Sequence, residues 1–508
     1  MHSYSPRYWP GWACGIIALG TVLRLRQFFT DRSLWFDEAA LALNVIHRSF
    51  AGLFKPLDYH QGAPVGFLVL EKLASKLIGT GEVALRTLPL IAGIAALFVF
   101  FQVAKLYVSG KAVPLALFLF AVCDSLVYYS SEAKQYSSDV LITLLLLWTA
   151  VKIASSSLTT SRLVGFGVAG ALAVWFSHSA SLVLAGVGVT LLVAAAKSRD
   201  WPRVTRLLSL LAVWAASFAA CYVLSLRPLS HDAILLNYWG HAFPPHSDSF
   251  LAMLSWLSDK FIAAFADPAS LFPILGAALF CAGCWQMMRR RRIAFWLVVT
   301  PLLMLLLASL VHRYPLQGRL LLFITPILLL VISEGAIWIY EITEPFSRLV
   351  GMLVLALLLL RPAYLAANAL NHPRKPDNIK PVLRYIETHE NPGDVLYVYY
   401  GGEYQLAYYS NRYSLPAQSL RKGADCGADA ACYAADIEAL RGSPRTWVVL
   451  SHILIDNNVD EGEILTDQLD RIGTQLQSFQ ASGSRAFLYD LSNRQRVPEL
   501  HNSKCCKD

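Results

Sequence analysis

Along the first 370 positions apolar residues gather into long runs broken by short polar loops. A hydrocarbon core of about 30 Å asks for roughly 17 to 25 such residues per helical crossing. Eleven runs qualify, some of them short: Trp9–Phe28, Glu82–Tyr107, Val113–Tyr129, Asp139–Ala154, Leu163–Phe176, Ala180–Ala196, Leu207–Leu226, Leu271–Met288, Ile293–Val311, Leu320–Tyr340 and Leu349–Ala367. The pattern predicts an α-helical polytopic membrane protein of about eleven transmembrane helices.

Every second loop between the runs is basic. Lys111, then Lys197 with Arg199, Arg203 and Arg206, then Arg289 to Arg292, then Arg348 mark one side of the membrane, the cytoplasmic one by the positive-inside rule. The amino terminus is then expected in the cytoplasm. The loop 30–81 and everything beyond residue 370 are expected outside, in a plasma (inner) membrane setting. The first run lacks a basic start and a small-residue cleavage site, so it reads as a retained span rather than a signal peptide.

Past Asn371 the texture changes. Pro373, Pro376 and Pro381 interrupt the chain, and helical spacing at Ile379–His389 and Glu461–Ile472 alternates with strand-like stretches at Asp394–Tyr400, Thr446–Ser451 and Arg485–Leu491. Residues 371–508 are therefore expected to form a small extracytoplasmic α/β domain beside a membrane domain of residues 1–370. Cys426 and Cys432 lie in this part, where an oxidising compartment permits a disulfide that spacing alone does not establish. Cys505 and Cys506 match no lipidation signal compatible with a tail outside the cell.

Composition agrees with the runs: of 508 residues, 56% are hydrophobic and only 15% charged, too apolar for an ordinary soluble enzyme. The net charge of +8 falls largely in the short loops, so it marks topology and not nucleic-acid binding.

The candidate chemistry sits in four exterior loops. The first carries Arg32–Ala39, RSLWFDEA, with Asp37 beside Glu38, and then Asp58, His60, Gln61 and Glu71. The second is Tyr128–Asp139, YYSSEAKQYSSD, with Glu132, Lys134 and Tyr136. The third, from Arg227, holds His231, Asp232, Tyr238, Trp239, His241 and His246; the fourth is His312–Arg319, HRYPLQGR, with Arg313 and Arg319. Carboxylates and cations on one face suit transfer of a sugar from a lipid-linked phosphate. A carboxylate takes the proton of the attacking hydroxyl, and a phosphate leaving group asks for cations rather than for an acid. Side chains at consecutive helical positions diverge by about 100°, so Asp37 and Glu38 cannot both face one reacting atom. Asp37 is the expected base and Glu38 its support.

These motifs, in order, resemble the GT-C glycosyltransferases, polytopic enzymes that use polyprenyl-phosphate sugars and include protein O-mannosyltransferases and the aminoarabinose and galacturonic acid transferases of lipid A and lipopolysaccharide. The likeness runs through SLWFDEA (Ser33–Ala39), HQGAPVGFLVLEKL (His60–Leu73), GEVALRTLPLIAG (Gly81–Gly93), SEAKQYSSDVL (Ser131–Leu141) and RYPLQGRLLLFITP (Arg313–Pro326). The resemblance implies a catalytic role for Asp37 and a second acid at Glu132. Lys134, Arg313, Arg319, His60 and Tyr136 are the expected substrate-binding residues. Where many relatives read His-Pro-Pro, this chain reads His60-Gln61-Gly62-Ala63-Pro64. The implied donor is a polyprenyl-phosphate sugar, and the implied acceptor a lipid, glycan or protein hydroxyl. No organic cofactor is called for; a divalent metal is left open, since some members use one and His60, His231, His241 and His246 show no tight ligand spacing. The competing assignment is a transporter or flippase of a lipid-linked or anionic substrate, although the polar motifs gather on one side and no inverted repeat is evident.

Overall fold

A computed structural model of the chain describes residues 9–492 apart from 156–158, 246–248, 416–418 and 457–458. Two compact units emerge. One comprises Met1–Thr30 with Val45–Arg374, and the other Asp31–Asn44 with Lys375–Asp508. The first-loop segment carrying the acid pair is thus grouped with the carboxyl-terminal residues rather than with the membrane helices that flank it in sequence.

Each apolar run is helical in the first unit. The run Glu82–Tyr107 is one helix with those same bounds, and Leu349–Ala367 lies inside the helix Arg348–Asn371. Among the described residues seven helices are long and apolar enough to cross a membrane, and two shorter apolar helices, Ala112–Val122 and Thr160–Phe176, lie between them. Leu320–Tyr340 begins as a 3₁₀ turn, Gly318–Ile324, before the α-helix Thr325–Thr343. The run Val113–Tyr129 is not one helix: Ala112–Val122 and Asp124–Tyr129 are separated at Cys123. Asp124, a charged residue in an apolar run, starts the second piece, as carboxylates favour a helix amino terminus.

Close packing comes from small residues, the usual device where lipid gives no hydrophobic drive between helices. A Cβ on Gly283 would lie 1.9 Å from the Val331 carbonyl oxygen, and one on Gly335 2.1 Å from that of Leu279, so helices Pro273–Arg290 and Thr325–Thr343 meet backbone to backbone. Similarly Gly186 abuts Pro301, and the Thr300 hydroxyl donates to the Gly186 carbonyl at 2.8 Å. The stretch Gly318–Thr343 is central, with 89% of its most apolar window buried, against 22% for Trp201–Leu229 and for Arg348–Asn371 at the periphery.

The second unit is built on strands β1 (Val395–Val398), β2 (Leu420–Lys422), β3 (Thr446–Ser451), β4 (Ile455–Asp456), β5 (Val459–Asp460), β6 (Thr474–Ala481) and β7 (Ser484–Asp490). Five of them form a sheet in the order β2-β1-β3-β7-β6, with β1 parallel to β2 and β3, and β7 antiparallel to β3 and β6. β3 is buried along its whole length, as expected for a strand covered on both faces. Behind β1 the phenols of Tyr399, Tyr400 and Tyr433 donate to one oxygen, Glu461 Oε2, at 2.6, 2.8 and 2.9 Å. Glu461 opens the helix Glu461–Asp470, where the helix dipole also favours its charge. Cys426 and Cys432 are joined in a disulfide.

Candidate active site

In the second unit the acid pair stands in the first turn of the helix Phe36–His47. Glu38 is fully buried. Its Oε2 accepts from Arg32 Nη1 at 3.2 Å and from the Trp35 backbone N–H at 3.3 Å. The second contact is one half of a capping box, an N3 carboxylate reaching back to the amide before the helix. Asp37 is half-buried, one residue earlier and turned about 100° away around the axis. The segment leading in is fixed as well: the Leu34 amide donates to the Tyr409 phenol at 2.8 Å, and the Ser33 hydroxyl to Asn378 Oδ1 at 2.8 Å.

Glu132, Lys134, Tyr136, His60, Arg313 and Arg319 all belong to the other unit. The turn between helices Asp124–Tyr129 and Tyr136–Ser155 buries Glu132 completely and leaves Lys134 and Tyr136 only 3% and 5% exposed. Gly93 makes room for it, since a Cβ there would come within 2.6 Å of Ser130 Cβ. Around the turn rings and guanidinium groups form a ladder. Arg374 lies 5.3 Å from the Tyr128 ring, Tyr128 packs edge-on to Tyr129 at 5.0 Å, and Tyr129 to Tyr136 at 5.3 Å. Arg319 then lies over Tyr136 at 6.0 Å and over Trp239 at 5.6 Å. Arg313 is exposed, outside this ladder.

Lys134 Nζ donates to Gln61 Oε1 at 2.6 Å, joining the second loop to the first. Gln61 borders a cavity of about 100 Å³ whose walls include Leu53, Leu68, Ser225, Leu229 and Asp232. His60 is exposed and left-handed, with φ 52°, and its Nδ1 lies 2.9 Å from Asp232 Oδ2. Burial raises the Asp232 carboxyl, but the His60 contact and the amides of Leu235 and Ile234 outweigh it, so the net shift is downward.

A further group was not singled out in the sequence. Arg374 pairs with Asp124, Ser125 Oγ lies 3.5 Å from Asp267 Oδ1, and Arg361 donates to the Leu271 carbonyl. Burial raises the Asp267 carboxyl, and the Arg374 charge opposes this. The signal available was Asp124 itself, an acid inside an apolar run, since such residues are rarely idle.

Among the described residues no group of three or more His, Cys, Asp or Glu side chains is arranged to hold a metal ion. His246, Cys505 and Cys506 lie outside the described residues. Trp239 stacks on His241 with ring centroids 6.3 Å apart, and His231 Nδ1 lies 2.8 Å from the Arg227 carbonyl oxygen.

The architecture defines the class: a polytopic helical membrane protein with a small α/β unit, a fold it shares with solved membrane proteins of low sequence identity. ArnT from Cupriavidus metallidurans bound to undecaprenyl phosphate matches with a TM-score of 0.55 at 12% identity, over 96% of this chain and 100% of that one. The archaeal oligosaccharyltransferase AglB from Archaeoglobus fulgidus, in complex with an inhibitory peptide and a dolichol-phosphate, matches with a TM-score of 0.50 at 11% identity, over 96% of this chain and 74% of the other. An oligosaccharyltransferase from Archaeoglobus fulgidus in its apo form gives 0.52 at 11% identity, over 97% and 76%. No family model and no curated protein matches the sequence.

Proposed function

We propose that the protein is a membrane glycosyltransferase that moves a sugar, hexosyl or pentosyl, from a polyprenyl-phosphate donor to the hydroxyl of a lipid, glycan or protein on the extracytoplasmic face of the plasma (inner) membrane. The observation that carries this reading is the first turn of Phe36–His47, where Glu38 is tied to Arg32 and the Trp35 amide while Asp37 is half-buried. Support comes from the fold shared with proteins whose structures hold undecaprenyl phosphate and dolichol-phosphate.

Asp37 takes the proton of the acceptor hydroxyl as its oxygen attacks the anomeric carbon. The bond from that carbon to the phosphate oxygen breaks, and the electron pair leaves with the lipid phosphate. A single displacement inverts the anomeric centre. Charge builds on the leaving phosphate, and Lys134, Arg313 and Arg319 stabilise it, guanidinium groups by paired N–H donors and the ammonium as a point charge. Glu132 is the second acid, and Tyr136 and His60 bind substrate.

The test is purified protein in vesicles with labelled polyprenyl-phospho-sugars and candidate acceptor hydroxyls. Asp37→Asn is expected to lower turnover by a factor on the order of 100 or more, as loss of a general base does, with folding intact. Turnover equal to wild type removes Asp37 as base. Movement of the labelled lipid across the bilayer with no transfer to any acceptor overturns glycosyl transfer in favour of transport.

A further inference from the structure

The α/β unit has a topological switch point beside β1, where such folds form a binding crevice, and part of the chain itself lies there. β2 and β3 flank β1 on opposite sides and run parallel to it, so the connections around β1 diverge at its carboxyl end. In α/β folds ligands settle outside the carboxyl ends of strands at such a switch point. Here the lips are the turn Tyr400–Gly402 with its following helix Glu403–Tyr409, beyond β1, and Ser451–His452, beyond β3. The two lips nearly touch. A Cβ on Gly401 would lie 2.6 Å from the His452 carbonyl oxygen and 2.9 Å from that of Ser451.

Residues 33–36 lie on this edge. Gln405 Nε2 donates at 2.8 Å to both the Leu34 and the Asp377 carbonyl oxygens, and its own oxygen accepts from the Ser451 hydroxyl. Phe36 stacks on the His452 imidazole with centroids 4.7 Å apart and planes inclined by 13°, and packs on Tyr404 at 4.8 Å. His452 Nδ1 in turn lies 2.8 Å from Asp377 Oδ2. Both members of that pair are left-handed, with φ of 52° at His452 and 45° at Asp377. Non-glycine residues persist in that region only when their surroundings hold them there, and such strain concentrates where geometry must be exact for function.

We infer that this crevice is a positioning seat for the catalytic acid: Gln405, Tyr409 and the His452–Asp377 pair act on the reaction through residues 34–36, without touching substrate. The inference rests on the reading of Asp37 as base. Asp37 directly follows the stacked Phe36, so a shift of that ring carries the carboxylate with it, and a displacement of about 1 Å at a reacting group costs about 100-fold in rate. The α/β unit is then part of the catalytic apparatus and not an appendage.

Full-length protein is assayed for transfer from a labelled polyprenyl-phospho-sugar, with kcat and donor KM measured separately and thermal unfolding as a control. Phe36→Ala and His452→Ala are each expected to lower kcat about tenfold or more, within what misplacement does, at a donor KM within about twofold of wild type. Phe36→Tyr, which keeps a ring to stack, recovers most of the rate, and the double alanine variant is no worse than the poorer single one. A merely structural role would lower the melting temperature and leave kcat of the folded fraction intact. If Phe36→Ala does not fold, Tyr409→Phe takes its place: it deletes the one oxygen that accepts from Leu34, and a fall in kcat of about fivefold at unchanged KM, the worth of one hydrogen bond, supports the seat. Wild-type kcat in these variants, beside a dead Asp37→Asn, overturns the seat and leaves glycosyl transfer standing. Wild-type kcat in Asp37→Asn overturns the reading on which the seat depends.

Discussion

Some charged side chains of the two compact units are held by different means. In the helical unit Arg319 lies over the rings of Tyr136 and Trp239, Arg374 lies over Tyr128 as well as pairing with Asp124, and Lys134 donates to the neutral amide of Gln61. In the α/β unit the carboxylates meet donors at hydrogen-bond distance, Glu38 from Arg32 and Glu461 from three tyrosines. A ring face engages the flat side of a guanidinium and leaves the edge N–H groups, which grip an oxyanion in pairs, out of that contact. A carboxylate saturated by donors has its geometry set and little left to offer. The contrast separates cations set over ring faces from carboxylates set among donors, and it puts Glu38 in the second group.

The largest effect that sharpens this contrast is on Glu38. Both partners of the Arg32–Glu38 pair are fully buried, and removing one member of such a pair costs about 3–5 kcal/mol. Glu38→Ala is therefore expected to lower the unfolding midpoint strongly, read by thermal denaturation in detergent; a midpoint like wild type breaks the comparison. Next comes Glu461→Ala, expected to destabilise by about 2–3 kcal/mol, since hydrogen bonds to a charged acceptor are worth more than neutral ones. Burial, and then the Glu461 contact, hold the Tyr399 and Tyr433 phenols well above their ordinary value of 10.0. Above that pH the unfolded phenols ionise and the folded ones do not. Wild-type stability should thus be flat in this respect below pH 10.0 and fall as pH rises beyond it. The smallest effect is at Arg319: Arg319→Lys keeps the charge and loses the planar fork, so donor KM should rise by about three- to tenfold.

Much of the helical unit was legible because a membrane-spanning helix satisfies its backbone internally, so length and apolarity suffice to reveal it. Glu82–Tyr107 has the same bounds as sequence and as helix. β3 was legible for a related reason, being six buried residues in a row. β6, TQLQSFQA, was not: it is largely exposed and offers no apolar run, and pairing with β7 holds it in place. The break at Cys123 was hidden by the apolarity on either side of it. Within the site, Asp37 and Glu38 stood out as an acid pair after a long run, and the Arg32 partner of Glu38 lies only six residues away. The remaining contacts join distant positions. Leu34 and Tyr409 are 375 residues apart and Asp124 and Arg374 are 250 apart. No local periodicity records such pairings, which arise when the sheet and the helices have formed.

The reading of Asp37 as the base and Arg319 as a cation that binds the donor is tested most directly by steady-state transfer kinetics on Asp37→Asn and Arg319→Ala, with donor concentration varied at saturating acceptor. The expected result is a kcat lower by a factor on the order of 100 at near-normal donor KM for Asp37→Asn, and a donor KM raised by about tenfold or more for Arg319→Ala. Equal losses in both parameters for both variants, or a wild-type kcat in Asp37→Asn, would contradict it.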